Sequence, residues 1–373
     1  MAKRYLLSYS LIALIGAASA SAQQQKGEVR TAKPISQSDL PAQLRPEAKI
    51  VKGYVPPKTA WGDPQLAGAY TNSDESGIPF ERPAQFEGKK LADVSPAELA
   101  DIVKQRQQQT VERTPGLSEF PGATSPLHWF ENYRAANSRA WLVTDETDGK
   151  VPPTTEEATA RNAARARARS ARGAADSAED RSMYDRCITR GIPGSMMPAI
   201  YGNSYQIVQG PGYVAIKYEM VNETRIIPLG SAPLGPAPHL NARIRRYLGD
   251  ARGHFEGSTL VVETTNFTDK TPYRGSSDNL KLVEHFKPLG PNTVEWSVTF
   301  DDAHTWTKPW TFAMNLTKVP DEQGPFEYAC SEGNYGMRNM LTAARAEEAE
   351  IKAAAAKGIV KAASKQDPDE GEK

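Results

Sequence analysis

The alternation of large and small side chains between residues 205 and 316 constrains the fold of this chain more than any other feature. Large apolar side chains recur at even-numbered positions in three segments, namely Val214, Ile216, Tyr218 and Met220; Val294, Trp296, Val298 and Phe300; and Trp306, Trp310, Phe312, Met314 and Leu316. A period of two residues is typical of a β-strand with one buried face. The pattern therefore predicts a sheet whose even-numbered side chains share one lining.

Short turn-forming sequences separate these segments from further candidate strands at 205–208, 224–229, 259–265 and 279–286. The turns include Gly210-Pro211-Gly212 and Gly290-Pro291-Asn292. Short connections join antiparallel neighbours, so about seven strands form a meander, and one or two more come from the N-terminal region. We predict a mainly β fold, an antiparallel meander closing into a barrel or sandwich, with a few peripheral helices and disordered termini.

The N-terminus has the order of features found in a secretory signal peptide. Lys3 and Arg4 precede a short apolar run over 6–18, and the small residues Ala20-Ser21-Ala22 follow it. This order predicts cleavage after Ala22 and export to the periplasm or the cell exterior. The apolar run is too short for a permanent membrane span, so we expect no stable membrane insertion.

Composition along the chain indicates six segments. They are a signal peptide over 1–22, an extended lead-in over 23–60, N-terminal strands and a helix over 61–153, an Ala/Arg-rich helix or linker over 154–180, an antiparallel β core over 181–338, and a C-terminal helix with an acidic tail over 339–373. The helix within 61–153 is predicted over 95–113, with Ser95 as its cap, because Ser95 and Glu98 have the spacing of a capping box.

The Ala/Arg-rich segment contains no large apolar residue, so it buries little surface. Four arginines fall near one face at spacings of three and four, namely Arg161, Arg165, Arg169 and Arg172. Such a stripe is consistent with an anionic partner. The simpler interpretation, which we favour, is a solvated helix or connector.

Charge and motif content exclude several functions. The 45 basic and 45 acidic side chains give no net charge, whereas nucleic-acid binding rests on clustered excess Lys and Arg. No metal, phosphate-loop or dinucleotide motif is present, so we predict no metal and no cofactor. His254 and Glu256 form the only closely spaced candidate pair for a metal.

The two cysteines, Cys187 and Cys330, are most simply a disulfide in an exported protein. A catalytic thiol with a bystander cysteine is the alternative.

Two polar residues interrupt otherwise apolar strand faces. Glu284 stands between Leu282 and Phe286, and Lys308 stands between Trp306 and Trp310. A buried charge must find a partner, become neutral or face water. We therefore predict a ligand cavity walled by Trp296, Trp306 and Trp310, with Glu284 and Lys308 as polar contacts. The alternative places one or both charges at the rim of the sheet, in contact with water.

A second polar cluster surrounds a predicted short helix. His239 precedes this helix, and Asp250 and Arg252 follow it in an extended segment. An Asp beside a His is suited to general-base chemistry, and Arg is suited to binding a carboxylate. His304 lies beside Asp301 and Asp302 in a turn. The candidate catalytic set is thus His239, Asp250, Glu284 and His304, with Arg252 as a candidate ligand contact; a structural Asp250–Arg252 pair is the alternative.

Several sequence blocks resemble a broad family of uncharacterised exported bacterial proteins. They are Arg225-Ile226-Ile227-Pro228-Leu229, the run from Gly249 to Phe267, Arg274-Gly275-Ser276-Ser277, and the run from Glu327 to Gly336. This resemblance implies export and carries no activity. Gly68-Ala69-Tyr70 is similar to the Gly-x-Trp opening of lipocalin-like barrels, with Tyr in place of Trp, which implies a ligand-holding barrel.

Three functions remain open from the sequence. The preferred one is an exported β-barrel that binds a small apolar or aromatic molecule. The second is a cofactor-independent lyase, isomerase or hydrolase that uses the same cavity. The third is a cell-envelope interaction protein with the Ala/Arg helix and the C-terminal helix as partner surfaces, although no particular protein partner is indicated.

Overall fold

A computed structural model of the chain describes residues 48–75, 77–102, 138–144, 148–173, 175–199, 202–230, 237–320 and 324–360. The predicted signal peptide, the first part of the lead-in and the acidic tail lie outside these ranges.

In the part of the chain that the structure describes, nine strands form a single antiparallel sheet, as the alternation predicts. They are β1 Gly68–Thr71, β2 Ser204–Gly210, β3 Tyr213–Tyr218, β4 Thr224–Pro228, β5 Asp250–Glu256, β6 Thr259–Thr265, β7 Lys281–Gly290, β8 Thr293–Asp301 and β9 Trp310–Val319. Their order across the sheet is β4-β3-β2-β1-β9-β8-β7-β6-β5. The mainly β, antiparallel prediction is confirmed.

The sheet curls until its edge strands β4 and β5 meet, but no continuous ladder joins them. Among the described residues, the backbone contact between them is one parallel bridge of Leu229 with Gly253, where the Gly230 N–H donates to the Gly253 carbonyl at 2.8 Å. All eight neighbouring pairs in the ladder are antiparallel. A ring with an odd number of strands cannot alternate in direction all the way round, so β4 and β5 run the same way. We call this junction the seam.

The inward face of the curled sheet is the core. The even-numbered side chains of β3, β8 and β9 lie there, and the most buried include Ile216, Trp296, Phe300, Phe312 and Met314. The parity predicted from sequence is therefore confirmed. Burying such a row of large side chains supplies the main favourable term in folding.

Within the described ranges, three α-helices lie outside the sheet. The first, α1, begins with a Ser95–Glu98 capping box and is helical over 96–102. The second, α2, spans Glu156–Ser170, and the third, α3, spans Tyr335–Ala355. No helix in the described ranges is both long enough and apolar enough to cross a membrane.

A disulfide joins Cys187 to Cys330 across 143 residues, with 5.6 Å between their Cα atoms. The predicted bridge is confirmed, and the alternative of a free catalytic thiol is excluded. The bridge fixes the segment before α3 to the segment before β2.

Candidate functional site

A buried ion pair occupies the interior of the curled sheet. Arg225 on β4 donates through Nη2 to Glu284 Oε2 on β7, and the same nitrogen donates to Thr264 Oγ1 on β6. Glu284 Oε1 accepts from the indole N–H of Trp296 at 3.1 Å. The predicted inward position of Glu284 is thus observed, and its partner is an arginine that the sequence pattern did not single out.

Burial and charge act in opposite directions on Arg225. Burial lowers the pKa of its guanidinium, but the Glu284 charge and hydrogen bond outweigh that effect, so the pKa is raised. Arg225 Nε and Nη1 and the Tyr218 hydroxyl make no hydrogen bond of good geometry with any described residue, although all three atoms are buried. Burial is the main reason that the Tyr218 pKa is raised.

The predicted tryptophan wall is a packed aromatic cluster. Trp310 stacks on Phe300 with 4.1 Å between ring centroids, Trp306 packs edge-on against both rings, and Trp296 packs edge-on against Phe312. Each of these three tryptophans is at most 3% exposed. The ring faces are therefore occupied by neighbouring rings instead of bordering an open lumen.

Lys308 does not share this interior. It is exposed, in the turn before β9, so the prediction that it lines an interior cavity with Glu284 is wrong, and the alternative of a position in contact with water is observed. Pro309 follows it, and proline both lacks an N–H and restricts the residue before it. For this reason β9 begins at Trp310 and not near residue 305.

His239 and Asp250 come together as predicted, but on the outer face of the sheet. His239 Nδ1 lies 3.0 Å from Asp250 Oδ2, and Nε2 lies 3.2 Å from Glu263 Oε1. Arg252 lies 2.8 Å from the other Asp250 oxygen and donates to the Pro238 carbonyl. Both ring nitrogens of His239 are engaged, so this cluster fastens the 237–240 segment to β5, in agreement with the structural alternative.

The Glu263 carboxylate of this cluster has further partners. Burial alone would raise the Glu263 pKa. The hydrogen bonds and charges of Lys281 and His239 have the larger effect, so the net result is a lowered Glu263 pKa.

His304 lies apart from the other candidate catalytic residues. Its Nδ1 is 3.0 Å from the Glu157 carboxylate on α2, and both side chains are largely exposed. The four candidate catalytic residues thus lie in three separate places. Glu284 lies in the interior of the sheet, His239 and Asp250 lie on the outer face at β5, and His304 lies beside α2.

The arginine stripe on α2 attaches the helix to the sheet. Arg161 donates to the Gly275 carbonyl and to Thr305 Oγ1, and Arg165 donates to the Ser276 carbonyl. Most of the helix is exposed to solvent, as the favoured interpretation expects, but Arg161 and Arg165 hold its first part against the sheet. Thr155 is the N-cap of this helix.

A buried pair of carboxylates, Asp74 and Glu75, was missed by sequence reasoning. Thr317 Oγ1 donates to Asp74, while Ser138 and the Asn315 amide donate to Glu75. Burial, aided by the neighbouring Glu75 charge, raises the Asp74 pKa to about 6. Burial also raises the Glu75 pKa, against the opposing hydrogen bonds and the Arg139 charge. The available signal was two adjacent acidic residues that follow β1 after only Asn72 and Ser73.

An open cavity of about 430 Å³ lies beside the disulfide. Residues from two segments line it: Tyr184, Asp185 and Cys187 before β2, and Glu327, Tyr328, Ala329, Cys330, Gly333, Asn334 and Gly336 before and within α3. Asn334 links the two walls by donating to the Asp185 carbonyl at 2.8 Å. Within the described residues, no group of three or more His, Cys, Asp and Glu side chains is placed to hold a metal.

Comparison of the chain with protein-family models, with curated proteins and with solved structures finds no match. The resemblance to exported bacterial proteins and to lipocalin-like barrels therefore stays a prediction.

Proposed function

We propose that the protein binds a small organic molecule in the cavity beside the disulfide. The observation that carries this proposal is a cavity of about 430 Å³, which is within the range of small-molecule sites. The interior of the sheet supports binding less well, because its aromatic side chains contact one another.

The chemistry of the lining favours a ligand with a positive charge and an aromatic or apolar body. Among the lining residues, Asp185 and Glu327 carry negative charge, and no lining residue is basic. Arg181 pairs with Asp185 at 3.1 Å, whereas Glu327 has no ion-pair partner among the described residues. Glu327 is thus the carboxylate available to a cationic ligand, and the Tyr328 ring offers a surface suited to cation–π contact.

The covalent and hydrogen-bonded frame keeps the two walls of the cavity together. Cys187 and Cys330 belong to opposite walls, and Asn334 bonds to both Asp185 and the Cys187 sulfur. A preformed cavity lowers the ordering entropy that binding must overcome. Reduction of the disulfide is therefore expected to abolish binding while the sheet stays folded.

Export forms part of the proposal. The disulfide is compatible with an oxidising compartment. Expression with the natural N-terminus should give a secreted product beginning at Gln23, and a product retaining Met1 inside the cell would contradict export.

The test compares phenethylamine with 3-phenylpropionate, which share an aromatic body and differ in the sign of their charge. Calorimetry on the oxidised full chain should show tighter binding of the amine. Glu327→Gln should weaken amine binding by about two- to fivefold, the range expected for an exposed charge pair. Glu332→Gln is the matched control, because Glu332 lies in the same segment but outside the lining.

Two results would overturn the proposed function. One is the absence of binding by either compound to the oxidised chain. The other is binding that neither Glu327→Gln nor reduction of the disulfide changes.

A further inference from the structure

The chain over 241–247, between the His239 segment and β5, lies on the outside of the protein. All seven of its residues are exposed, including Ile244 at 48% and Tyr247 at 38%. The predicted short helix is not observed here, and the chain forms turns at 242–243 and 247–248 instead. We call residues 241–247 the basic loop, because they include three arginines, namely Arg243, Arg245 and Arg246.

Hydrogen bonds to neighbouring segments fix the backbone of the basic loop. The Asn266 side chain donates to the Leu240 carbonyl, and the Arg246 N–H donates to the Asn266 carbonyl at 3.0 Å. Thr271 Oγ1 donates to the Tyr247 carbonyl at 2.9 Å. The loop thus keeps its shape through polar bonds of the backbone, while its apolar side chains stay in contact with water.

Two of the three arginines carry charges that no described residue balances. Arg245 lies 3.4 Å from the Asp278 carboxylate. The guanidinium groups of Arg243 and Arg246 make no ion pair or hydrogen bond with any residue that the structure describes. The adjoining chain over 268–271 contains one acidic and one basic residue, so it leaves the positive surplus of the loop unchanged.

We propose that the basic loop binds the surface of an anionic lipid bilayer, with Ile244 and Tyr247 in the interface and Arg243 and Arg246 on lipid phosphates. Apolar and aromatic side chains flanked by cations are typical of segments that lie at a membrane surface. Each basic residue near an anionic membrane adds about a factor of five in affinity. The contact is peripheral and needs no segment that crosses the bilayer.

A bilayer matches the loop better than a nucleic acid or an acidic protein segment does. Nucleic acid offers phosphates but no apolar layer for Ile244, and the chain as a whole carries no net positive charge. An acidic protein segment pairs with Arg243 and Arg246 but gives no particular reason for the exposed Ile244. In a bilayer the phosphates lie directly above an apolar layer, so the arginines and Ile244 are accommodated together.

The probe is a vesicle of phosphatidylcholine that contains about 40% phosphatidylglycerol, and a vesicle of phosphatidylcholine alone is its control. Cosedimentation of the oxidised full chain at about 0.1 M salt should give a partition coefficient roughly twentyfold higher for the anionic vesicle, because two unpaired arginines contribute. Raising the salt to about 0.5 M should remove most of this difference, since the charges are exposed to solvent.

Matched variants locate the binding surface. Arg243→Gln with Arg246→Gln should weaken partition into the anionic vesicle roughly twentyfold. Arg167→Gln with Arg338→Gln removes two exposed arginines from α2 and α3 and should leave partition within about twofold to threefold.

The apolar contact is tested in the same way. Ile244→Ser should weaken partition into the anionic vesicle at least threefold, whereas Val55→Ser, at another exposed apolar residue, should leave it within twofold. On the isotope-labelled wild-type chain, nitroxide-labelled lipids should broaden the amide signals of Ile244 and Tyr247 most strongly. This last measurement requires no substitution.

The proposal is overturned if the chain partitions equally into both vesicles, if the Arg243 and Arg246 double variant keeps the wild-type partition, or if nitroxide lipids broaden signals elsewhere more strongly. Binding of poly-glutamate without binding of vesicles also overturns it, because an acidic protein segment is then the partner. The basic loop shares no residue with the cavity beside the disulfide, so Glu327→Gln should leave vesicle partition within twofold.

Discussion

Arg225 and Glu284 form a buried ion pair between β4 and β7, across the seam where the sheet has no continuous ladder. The side chains are 3% and 0% exposed. The pair thus joins the two halves of the sheet from the inside, where hydrogen bonds between neighbouring strands are missing.

Breaking this pair should strongly destabilise the fold. Glu284→Gln leaves an uncompensated buried guanidinium and should lower the free energy of unfolding by about 3–5 kcal/mol. The double change Arg225→Met with Glu284→Met should cost much less than the two single changes together, because it leaves no buried charge. Urea denaturation measures all of these values.

The matched control for the buried pair is Glu348→Gln, which breaks the exposed Arg345–Glu348 pair and should have no measurable effect. If the double variant loses as much free energy of unfolding as the two single variants together, Arg225 and Glu284 do not act as a pair.

Two interior tyrosines should respond differently to loss of the hydroxyl. The Tyr205 hydroxyl accepts from Asn72 and donates to the Met196 carbonyl, so Tyr205→Phe should lower the free energy of unfolding by about 1–3 kcal/mol. The Tyr218 hydroxyl makes no well-formed hydrogen bond with a described residue and has only the Arg225 guanidinium as a polar neighbour, so Tyr218→Phe should lower the free energy of unfolding by less than Tyr205→Phe does. Equal losses in thermal and urea unfolding would refute this contrast.

Asp74 should make the protein less stable as pH rises from 4 to 6. Its folded pKa of about 6 exceeds the ordinary value of 3.8, so in that window the folded state holds more protons than the unfolded state. Stability from this group is complete below pH 4 and is lost as pH passes 6. Asp74→Asn should therefore raise the free energy of unfolding at pH 7 by about 2–3 kcal/mol and have little effect at pH 4.

The Asp74 prediction requires urea curves of the wild type and the variant at both pH values. Glu332→Gln, at an exposed carboxylate, serves as the control. A difference between Asp74→Asn and wild type that is the same at pH 4 and pH 7 would refute the proposed linkage.

Local patterns in the sequence predicted the elements of the fold better than their assembly. The even-numbered residues of β8 and β9 point inward because alternation is a local property of strands. The position of the seam could not be predicted in this way, because it follows from the pairing of β1 with β9, which lie far apart in the chain. No local pattern encodes that choice.

The interior polar site was only half predicted for a similar reason. The inward position of Glu284 could be predicted because this residue interrupts an apolar strand face. Arg225 directly precedes two isoleucines, and that pattern predicts a charged side chain that points to solvent. Its burial depends on Glu284, 59 residues away. Lys308 was wrongly predicted to point inward because it lies between two apolar residues of an alternating pattern. That prediction gave too little weight to Pro309, after which β9 begins.

Residue-level hydrogen exchange on the β4 amides tests the absence of a continuous ladder at the seam most directly. The Arg225 and Ile227 amides bond to β3 and should exchange slowly, while the Thr224 and Ile226 amides face the seam and should exchange much faster in the absence of a partner. Protection of Ile226 equal to that of Ile227 in the monomeric protein would contradict the absence of a continuous ladder at the seam.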